Sequence, residues 1–444
     1  MSFPVFIPDQ LDPVEISNRV APYEEPLEPD KMAWIISIWS DPKHSRYKAK
    51  WFFPNTPGSA YMQSMFRDYN IYIDHLLTHD ILETTGSFTE AFPRSFYFVR
   101  FAVEEDYRLK PYYIENPFLV RKLWRQLNSY NQSVEKSHGF ITRWFNDNLT
   151  IDYDRAVNML RESAPEDAGY DDHVWAVERI QHQNYFFSVS AKVGRFFSPI
   201  TSMKKDLRKF LRYNEKKIKS FDLKNSVPFL STFFLLPEFY QKKQEGVPNI
   251  KDLGSLFIRR INAIHPSLIK YMKKEWPKLA ENDDVKRYIE VCRNGGFYEI
   301  FEERLRVEFN KTYDIRKELK VDVLSALFSR ETPTGRVYRW FPAKWVFKRE
   351  FPTVFELFRY IKQDSTEEKK KLLSHLFMKY ESVFIVDTIA KGFVNKYRNI
   401  PVWTIHDNIA TTEDHFDKLL EFYKEKCLEY LGIIPLYEIE NWFE

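Results

Sequence analysis

Two apolar stretches of this chain each end in an aspartate. Residues 401–411 alternate apolar with other side chains, which predicts a strand that ends at His406-Asp407, followed by a turn and a helix from Thr412. Residues 218–230 predict a second strand that ends at Asp222, because Pro228 cannot continue full strand pairing. An aspartate at a strand tip either binds a metal ion or caps a surface turn.

Two carboxylates that converge from adjacent antiparallel strands are suited to phosphoryl transfer with two metal ions. Mg²⁺ prefers hard oxygen ligands and keeps several waters. One ion would activate an attacking hydroxyl and the other would stabilise a leaving pyrophosphate. We therefore predict that Asp222 and Asp407 share a site for two Mg²⁺ ions, with Mn²⁺ as a substitute.

A predicted helix over residues 315–328 carries cations that would suit a triphosphate. Its buried stripe consists of Leu319, Val323 and Leu327, and the neighbouring stripe consists of Arg316, Lys320, Leu324 and Phe328. Two cations four residues apart repel each other by about 0.2–0.5 kcal/mol. A bound triphosphate would relieve that repulsion, although Asp314 and Glu318 could do so too.

Residues 191–225 are strongly basic, with eleven Lys or Arg residues against three acids. Such an excess is the electrostatic footprint of a polyanion-binding surface when the cations cluster in space. Contacts of this kind hold a nucleic-acid backbone without reading its sequence. The alternative is a solvated face of a helix over residues 204–217.

In this order and spacing, the segments resemble the palm and fingers of family A DNA polymerases and phage-type single-subunit RNA polymerases. The resemblance covers roughly residues 190–440. Gly194-Arg-Phe-Phe-Ser198 is similar to the family's Gly-Arg-x-x-Ser/Thr segment, which meets the primer–template. Arg316, Lys320, Leu324 and Phe328 are similar to its fingers-helix motif, R-x-x-x-K-x-x-x-F-x-x-x-Y.

The resemblance implies a role for each matched residue. Asp222 and Asp407 would bind the metal ions with the Leu223 carbonyl as a secondary ligand, and His406 would lie at the primer end. The nucleotide-binding set would be Arg316 and Lys320 on the phosphates, Leu324, and Phe328 near the base and sugar. The residues expected to contact nucleic acid are Gly194, Arg195, Ser198, Lys204, Lys205, Arg208, Arg212 and Glu381.

The chain departs from the family pattern at positions that bear on the sugar. Val227 stands where the DNA enzymes carry a glutamate that excludes the ribose 2′-hydroxyl. Leu324 replaces the usual aromatic residue, and Phe328 lacks the tyrosine hydroxyl by which the RNA enzymes favour ribose. Asn408 after the aspartate is nearer the RNA enzymes. Both a DNA product and an RNA product therefore remain open. The sequence upstream carries no set of exonuclease carboxylates, so we expect no proofreading.

Composition bounds the class of protein. The 444 residues are 44% hydrophobic and 29% charged, with a net charge of +3, which predicts a globular chain of roughly two to three structural units. Only two cysteines, Cys292 and Cys427, are present, which excludes a disulfide framework and fits a reducing cytoplasm. No secretion signal or membrane-spanning run is found, so we expect no membrane partner. The oligomeric state stays open.

The predicted fold class is α+β, a right-hand polymerase with a small antiparallel-sheet palm, large helical fingers and a helical thumb-like region. Residues 1–30 hold six prolines and seven acids, which predicts an extended acidic lead-in, followed by a strand over residues 32–39. The predicted segments are 1–60 for the lead-in and strand, 61–190 for the thumb-like region with helices over 61–77, 116–145 and 153–161, 191–245 and 376–444 for the palm, and 246–375 for the fingers.

The leading hypothesis is a template-directed nucleotidyltransferase that extends a primer or transcript from nucleoside triphosphates. The first alternative is a His-Asp metal phosphohydrolase, for which His173, His182 and His375 are candidate ligands. The second alternative is a polymerase-like nucleic-acid-binding protein that has lost its chemistry. A phage, plasmid or other mobile element would suit a compact polymerase, but this rests on association alone.

Overall fold

The computed structural model describes residues 2–20, 25–39, 59–84, 99–101, 109–163, 170–330, 337–362 and 367–443. These residues form a mixed α+β protein, mostly helical, with small antiparallel sheets. The chain divides into two compact units. The first unit contains residues 1–136 and 153–186, and the second contains residues 137–152 and 187–444.

The first unit combines short strands with amphipathic helices. Its strands are β1 (Phe3–Pro8), β2 (Leu82–Thr84), β3 (Val99–Phe101) and β4 (Leu109–Ile114). Its helices are α1 (Pro13–Ser17), α2 (Pro29–Trp39), α3 (Ser59–Met65), α4 (Tyr69–Thr78), α5 (Pro117–Thr142), α6 (Tyr153–Ser163) and α7 (Tyr170–Gln181). The C-terminal end of α5 extends beyond the unit boundary and departs from helical geometry at His138.

Two predictions for the N-terminal segment are wrong. Described residues of the expected acidic lead-in form β1, whose six residues are all buried and pair with β4 about a hundred positions along the chain. The expected strand over residues 32–39 is helix α2, in which Pro29 occupies the first turn. Residues 32–36 are all buried, and a fully buried helix shows the same continuous apolar run as a buried strand. The expected helix over 61–77 is two helices, α3 and α4.

The second unit holds a four-stranded sheet among many helices. Its strands are β5 (Leu149–Ile151), β6 (Ser188–Val189), β7 (Phe196–Phe197), β8 (Leu211–Tyr213), β9 (Ile218–Leu223), β10 (Trp403–Ile405), β11 (Asn408–Thr412) and β12 (Tyr437–Asn441). Its helices before residue 330 are α8 (Pro199–Ser202), α9 (Ser226–Phe234), α10 (Ser255–Ile264), α11 (Leu268–Lys274), α12 (Trp276–Leu279), α13 (Asp283–Arg293), α14 (Phe297–Phe309) and α15 (Arg316–Phe328). Those after it are α16 (Pro342–Glu350), α17 (Pro352–Lys362), α18 (Glu367–Lys370), α19 (Leu372–Ser382), α20 (Lys391–Lys396) and α21 (Phe416–Leu431).

Several short helical turns complete the second unit. Residues 205–210, 237–240, 250–253 and 413–415 form 3₁₀ turns. A π-helix, Val383–Ala390, joins α19 to α20. π-Helical segments are rare and frequently lie at functional sites.

The four-stranded sheet has the order β10-β11-β9-β12, and every neighbouring pair is antiparallel. β9 lies in the interior of the sheet, and its Phe221 is fully buried against Phe416, Tyr423 and Tyr437 on one face. The strand stops at Leu223 because Asn225 adopts a left-handed conformation and caps α9. The predicted end of this strand near Asp222 is therefore confirmed.

The structure corrects two other local predictions. Residues 204–217 do not form a helix, since a 3₁₀ turn leads into β8 and then a tight turn at Asn214 and Glu215, both with positive φ. The stretch 401–412 is a β-hairpin rather than a strand followed by a turn and a helix. Thr412 belongs to β11, and α21 begins at Phe416.

Helix α15 agrees with its predicted amphipathic pattern. Leu319, Val323 and Leu327 are at most 1% exposed, so the predicted buried stripe is confirmed. Its C-terminal end is held by two buried lysines, since Lys362 Nζ donates to Leu327 O (2.6 Å) and Lys344 Nζ donates to Ser329 Oγ (3.1 Å). Cations at a helix C-terminus stabilise its exposed carbonyl dipoles.

Candidate functional site

The hairpin of β10 and β11 brings Asp407 to the end of β9. Asn408 pairs with Asp222 across β11 and β9. Asp407 precedes Asn408 by one residue, so it lies just beyond the ladder, opposite Leu223. Two aspartates that are far apart in sequence thus lie at the same end of two neighbouring strands, as predicted.

The turn that carries Asp407 has an unusual backbone. Ile405 pairs with Asn408, so His406 and Asp407 form a two-residue hairpin loop. His406 has φ of 58°, in the left-handed region that non-glycine residues occupy at a cost of about 1–2 kcal/mol. This residue breaks the strand alternation, which is why the alternation seen in the sequence does not predict the direction of Asp407.

His406 itself is a mostly buried, neutral ring. Its ring lies edge-on to Phe197 with centroids 5.8 Å apart, and its Nδ1 has no hydrogen-bond partner. Burial and the positive charge of Arg195 lower the pKa of His406, although Asp407 acts in the opposite direction. A neutral imidazole beside the carboxylates is able to accept or donate one proton.

The carboxylates at this end of the sheet repel one another. Burial and the negative charges of Asp407, Glu440 and Glu381 raise the pKa of Asp222 to about 8, and Lys320 is the cation that opposes this rise. Negative charge therefore exceeds the positive charge that the protein supplies to Asp222. A bound divalent cation would reverse this balance.

Strand β12 adds a polar network on the side of β9 opposite β11. Asn408 Nδ2 donates hydrogen bonds to Ser220 Oγ and Glu440 Oε2, both at 3.1 Å. Trp442 Nε1 also donates to Ser220 Oγ, at 2.8 Å. The exposed Lys205 donates a hydrogen bond of 2.7 Å from its Nζ to Glu440 Oε1. The network ties β11, β9 and β12 together beneath Asp222 and fixes the Asn408 amide, whose Oδ1 has no hydrogen-bond partner.

Helix α15 contributes Lys320 to this site. Lys320 is exposed and is electrostatically coupled to Asp222. Its ammonium lies 5.9 Å from the ring centroid of Tyr298 on α14. Arg316, one turn earlier, forms an ion pair with Glu299 on α14. The two predicted triphosphate ligands therefore differ, because Arg316 already has a carboxylate partner.

The other two residues of the same stripe are partly buried. Phe328 packs against Phe377 of α19 with centroids 5.9 Å apart, and Leu324 is half-buried. No hydroxyl is present at either position. Both side chains therefore offer apolar contact alone to anything bound along α15.

Arg195 is held in place by a buried carboxylate. Its Nη2 lies 2.7 Å and its Nε 2.9 Å from Glu381 Oε1 on α19, and Glu381 is 2% exposed. Burial and the charge of Asp407 raise the pKa of Glu381 to about 7, although Arg195 opposes this rise. The expected contact of Glu381 with nucleic acid stays a prediction, and in this structure its carboxylate is buried and bound to Arg195.

The turn before Arg195 depends on Gly194. Gly194 has φ of 75°, and a Cβ atom there would lie 3.0 Å from Lys379 Nζ and 3.3 Å from Ser382 Oγ. Ser382 Oγ donates to Gly194 O at 2.6 Å. Ser198, four residues on, is 5% exposed and forms the N-terminal cap of α8, and its expected contact with nucleic acid stays a prediction.

The four predicted basic contacts other than Arg195 occupy different environments. Lys204 is half-buried, whereas Lys205 is exposed and paired with Glu440. Burial lowers the pKa of Arg208, although Glu440 and Asp222 act in the opposite direction, and its guanidinium lies 5.7 Å from the Trp442 ring centroid. Arg212 Nη1 donates to the carbonyls of Lys209 and Leu211. Arg208 is therefore close enough to Asp222 for the two charges to interact.

Sequence reasoning missed Tyr298 and the β12 network. Burial raises the pKa of Tyr298, and Asp407 and Arg316 are among the charges that act on its hydroxyl. Tyr298 lies on helix α14, and the residues around it form no motif that would mark it as a site residue. The sequence predicts a strand over Ile433 to Glu438, whereas β12 runs from Tyr437 to Asn441, and the partner of a strand cannot be read from its own pattern.

Other candidate ligands do not converge. His375 Nδ1 lies 3.4 Å from Arg260 Nη2. Burial, and to a smaller extent the nearby cations, lower the pKa of His375 to about 4. His182 lies 3.4 Å from Glu178 in the first unit. Throughout the described parts of the chain, no group of three or more His, Cys, Asp or Glu side chains is arranged to hold a metal.

The described helices include none that is long and apolar enough to cross a membrane. No family model matches the sequence, and the search of curated proteins found no significant match.

Proposed function

We propose that this protein is a template-directed nucleotidyltransferase that extends a primer or transcript from nucleoside triphosphates. The observation that carries the proposal is the pairing of Asp222 with Asn408, which sets Asp222 and Asp407 side by side at one sheet end. In this proposal the four-stranded sheet is a palm, and residues 246–375 form the fingers of a right-hand polymerase. The helical region over residues 61–190 would be thumb-like.

The donor set suits Mg²⁺. Asp222 and Asp407 supply hard oxygen ligands, and the negative charges that add to burial in raising the pKa of Asp222 favour a divalent cation. Leu223, opposite Asp407, would add its carbonyl. Mg²⁺ is commonly held by one or two carboxylates together with waters and substrate phosphates, so a third protein carboxylate is not required. Bound there, Mg²⁺ would lower the pKa of an attacking hydroxyl and neutralise charge on the leaving pyrophosphate.

Helix α15 would bind the triphosphate. Lys320 projects a cation toward Asp222 without a carboxylate partner among the described residues, so it is available to a phosphate. Arg316 would exchange its ion pair with Glu299 for a phosphate, because a bidentate phosphate contact is the stronger one. Tyr298, with its pKa raised, keeps its proton and would donate a hydrogen bond at the same place.

Arg195 and His406 would position the primer end. Glu381 holds the Arg195 guanidinium through one carboxylate oxygen, which leaves the Nη1 side of the fork for a second acceptor. The charge of Arg195 lowers the pKa of His406 and that of Asp407 raises it, so both groups act on the ring. Glu381 is therefore a positioning residue for Arg195.

A primer-extension assay tests the proposal. DNA and RNA templates are crossed with deoxy- and ribonucleotides, in Mg²⁺ and in Mn²⁺, using the wild-type chain and the Asp222→Asn and Asp407→Asn variants. We expect template-dependent extension that both variants abolish, and the preferred nucleotide identifies the product. Extension that survives either substitution contradicts the assigned roles. Binding to primer–template without any incorporation would mean that the chain has lost its chemistry.

A further inference from the structure

An exposed pair of aromatic rings lies outside the site described above. Trp340 is 79% exposed and Tyr338 is 41% exposed, and their rings stack with centroids 5.7 Å apart at 19°. Burying large apolar rings is favourable, so a tryptophan held this far into solvent marks a contact surface more often than does a scattered aliphatic residue.

The cation between the two rings in sequence favours an anionic ligand. Residues 337–349 contain four cations and no acid, but Lys344 is buried and bonded to Ser329, and Arg349 is paired with Glu308 and Glu350, so Arg339 carries this argument. Arg339 lies between the two rings in sequence, is exposed, and forms no ion pair among the described residues. Its guanidinium lies 5.6 Å from the Phe309 ring centroid, so this exposed cation rests on the end of helix α14.

The same contact connects the pair to the proposed active site. Phe309 ends helix α14, and Tyr298 lies near the start of that helix, beside Lys320. The two residues are eleven positions apart, which corresponds to about 16 Å of helix. A binding site for single-stranded nucleic acid of about 4–16 nucleotides would extend over that distance.

We propose that Tyr338 and Trp340 form a stacking platform for unpaired bases of a single nucleic-acid strand, with Arg339 on its phosphates. Exposed aromatic faces accept any base by stacking, and an adjacent cation holds the backbone, which together give sequence-independent binding. The ligand class rests on the proposed function, since a strand entering or leaving that site would pass close to this surface.

Binding of a labelled single-stranded oligonucleotide, followed by fluorescence anisotropy over a range of salt concentrations, tests the platform. Trp340→Ala is expected to weaken binding about tenfold or more, the scale of losing one stacked base, with the salt dependence unchanged. Arg339→Gln is expected to lower the slope of log affinity against log salt by about 0.7, the value for one phosphate on a single strand. Trp340→Phe should retain most of the affinity, because it keeps an aromatic face.

The matched control is Phe118→Ala, since Phe118 is 74% exposed with an arginine beside its ring and lies in the first unit. Unchanged binding by Trp340→Ala, or a loss equal to that of Phe118→Ala, overturns the platform. If Trp340→Ala changes the sedimentation coefficient of the protein without changing oligonucleotide binding, the surface binds a second copy of the chain instead. That result also overturns the platform.

The outcome is separable from that of the proposed function. Asp222→Asn is expected to bind the oligonucleotide like the wild-type chain while failing to extend a primer. If the wild-type chain never extends a primer but Trp340→Ala loses binding, the platform stands and the polymerase proposal fails. If the wild-type chain extends a primer and Trp340→Ala binds normally, the platform fails alone.

Discussion

Two carboxylate clusters in the second unit are built in opposite ways. Glu350 on α16 is 7% exposed and is surrounded by Arg287, Arg304 and Arg349. Burial alone would raise the pKa of Glu350, but hydrogen bonds from Arg349 and Arg287 and the charge of Arg304 outweigh it, and the pKa is lowered. At Asp222, burial and the neighbouring carboxylates act in the same direction, and its pKa is raised to about 8.

The difference separates a carboxylate whose charge the protein balances with its own cations from one whose ionised form is disfavoured by burial and by neighbouring carboxylates. Around Glu350 every negative charge is matched by the protein itself, so the cluster joins α13, α14 and α16 without further help. Around Asp222 the protein leaves negative charge uncompensated, which costs stability in the absence of a cation. Perturbed carboxylates of this kind gather at functional sites.

The largest expected effect is on catalysis. Asp222→Asn keeps the side-chain shape but removes a proposed metal ligand, so primer extension should fall on the order of 10³-fold or more, the scale of several kcal/mol of lost charge stabilisation. Glu350→Gln should leave the rate per folded molecule within about threefold of the wild-type value, because it touches nothing in the proposed site. Equal losses in the two variants would erase the distinction between the clusters.

The next largest expected effect is on the free energy of unfolding, and its sign should differ between the two clusters. Glu350→Gln should lower the free energy of unfolding by about 1–3 kcal/mol, because three arginines lose a shared partner, with solvent screening reducing the cost. Glu356→Gln is the control, since its ion pair with Arg359 is exposed and contributes about 0.2–1 kcal/mol. Urea unfolding measures both. A Glu350 variant as stable as the Glu356 variant would show that the arginine cluster contributes little.

A smaller effect is expected at the cation that faces Asp222. Lys320→Met should raise the KM for nucleotide about tenfold, roughly 1.4 kcal/mol, with a smaller change in kcat, because it removes a phosphate contact. Lys311→Met is the matched control, since Lys311 is already paired with Asp322 on α15. Steady-state extension at varied nucleotide concentration gives both constants. If the two substitutions raise KM equally, Lys320 does not contact the nucleotide phosphates as proposed.

The smallest expected effects are in the pH dependence of stability, measured by urea unfolding in a chelator. The pKa of Glu350 is lowered from 4.5, so its contribution is present above that value and is lost as the pH falls through the lower folded value. The pKa of Asp222 is raised from 3.8 to about 8, so the folded state retains a proton that the unfolded chain has released, and stability falls as the pH rises through this window.

Variants convert these signs into a test. The advantage of the wild-type chain over Glu350→Gln should disappear toward acid, whereas the advantage of Asp222→Asn over the wild-type chain should grow from about pH 4 toward pH 8. Curves that remain parallel across the whole range would contradict the different charge environments of the two clusters.

Local patterns predicted the parts of the site that depend on local physics. The alternation and the proline after Asp222 located the end of β9, and the spacing of Leu319, Val323 and Leu327 located the buried face of α15. The same kind of pattern failed for residues 32–36, where a fully buried helix and a buried strand look alike. It also failed for residues 204–217, where positive φ at Asn214 and Glu215 turns the chain back.

The sequence by itself determined that two strands of this protein end in aspartates and that a helix between them carries Arg316 and Lys320 on one stripe. Only the tertiary structure decided which groups surround those aspartates. Arg195 meets Glu381 across 186 positions, Asn408 meets Ser220 across 188, and Trp442 meets Ser220 across 222. Such pairings arise because the sheet and its helices bury their apolar faces together, and no local pattern specifies the partner of a polar group that this packing buries.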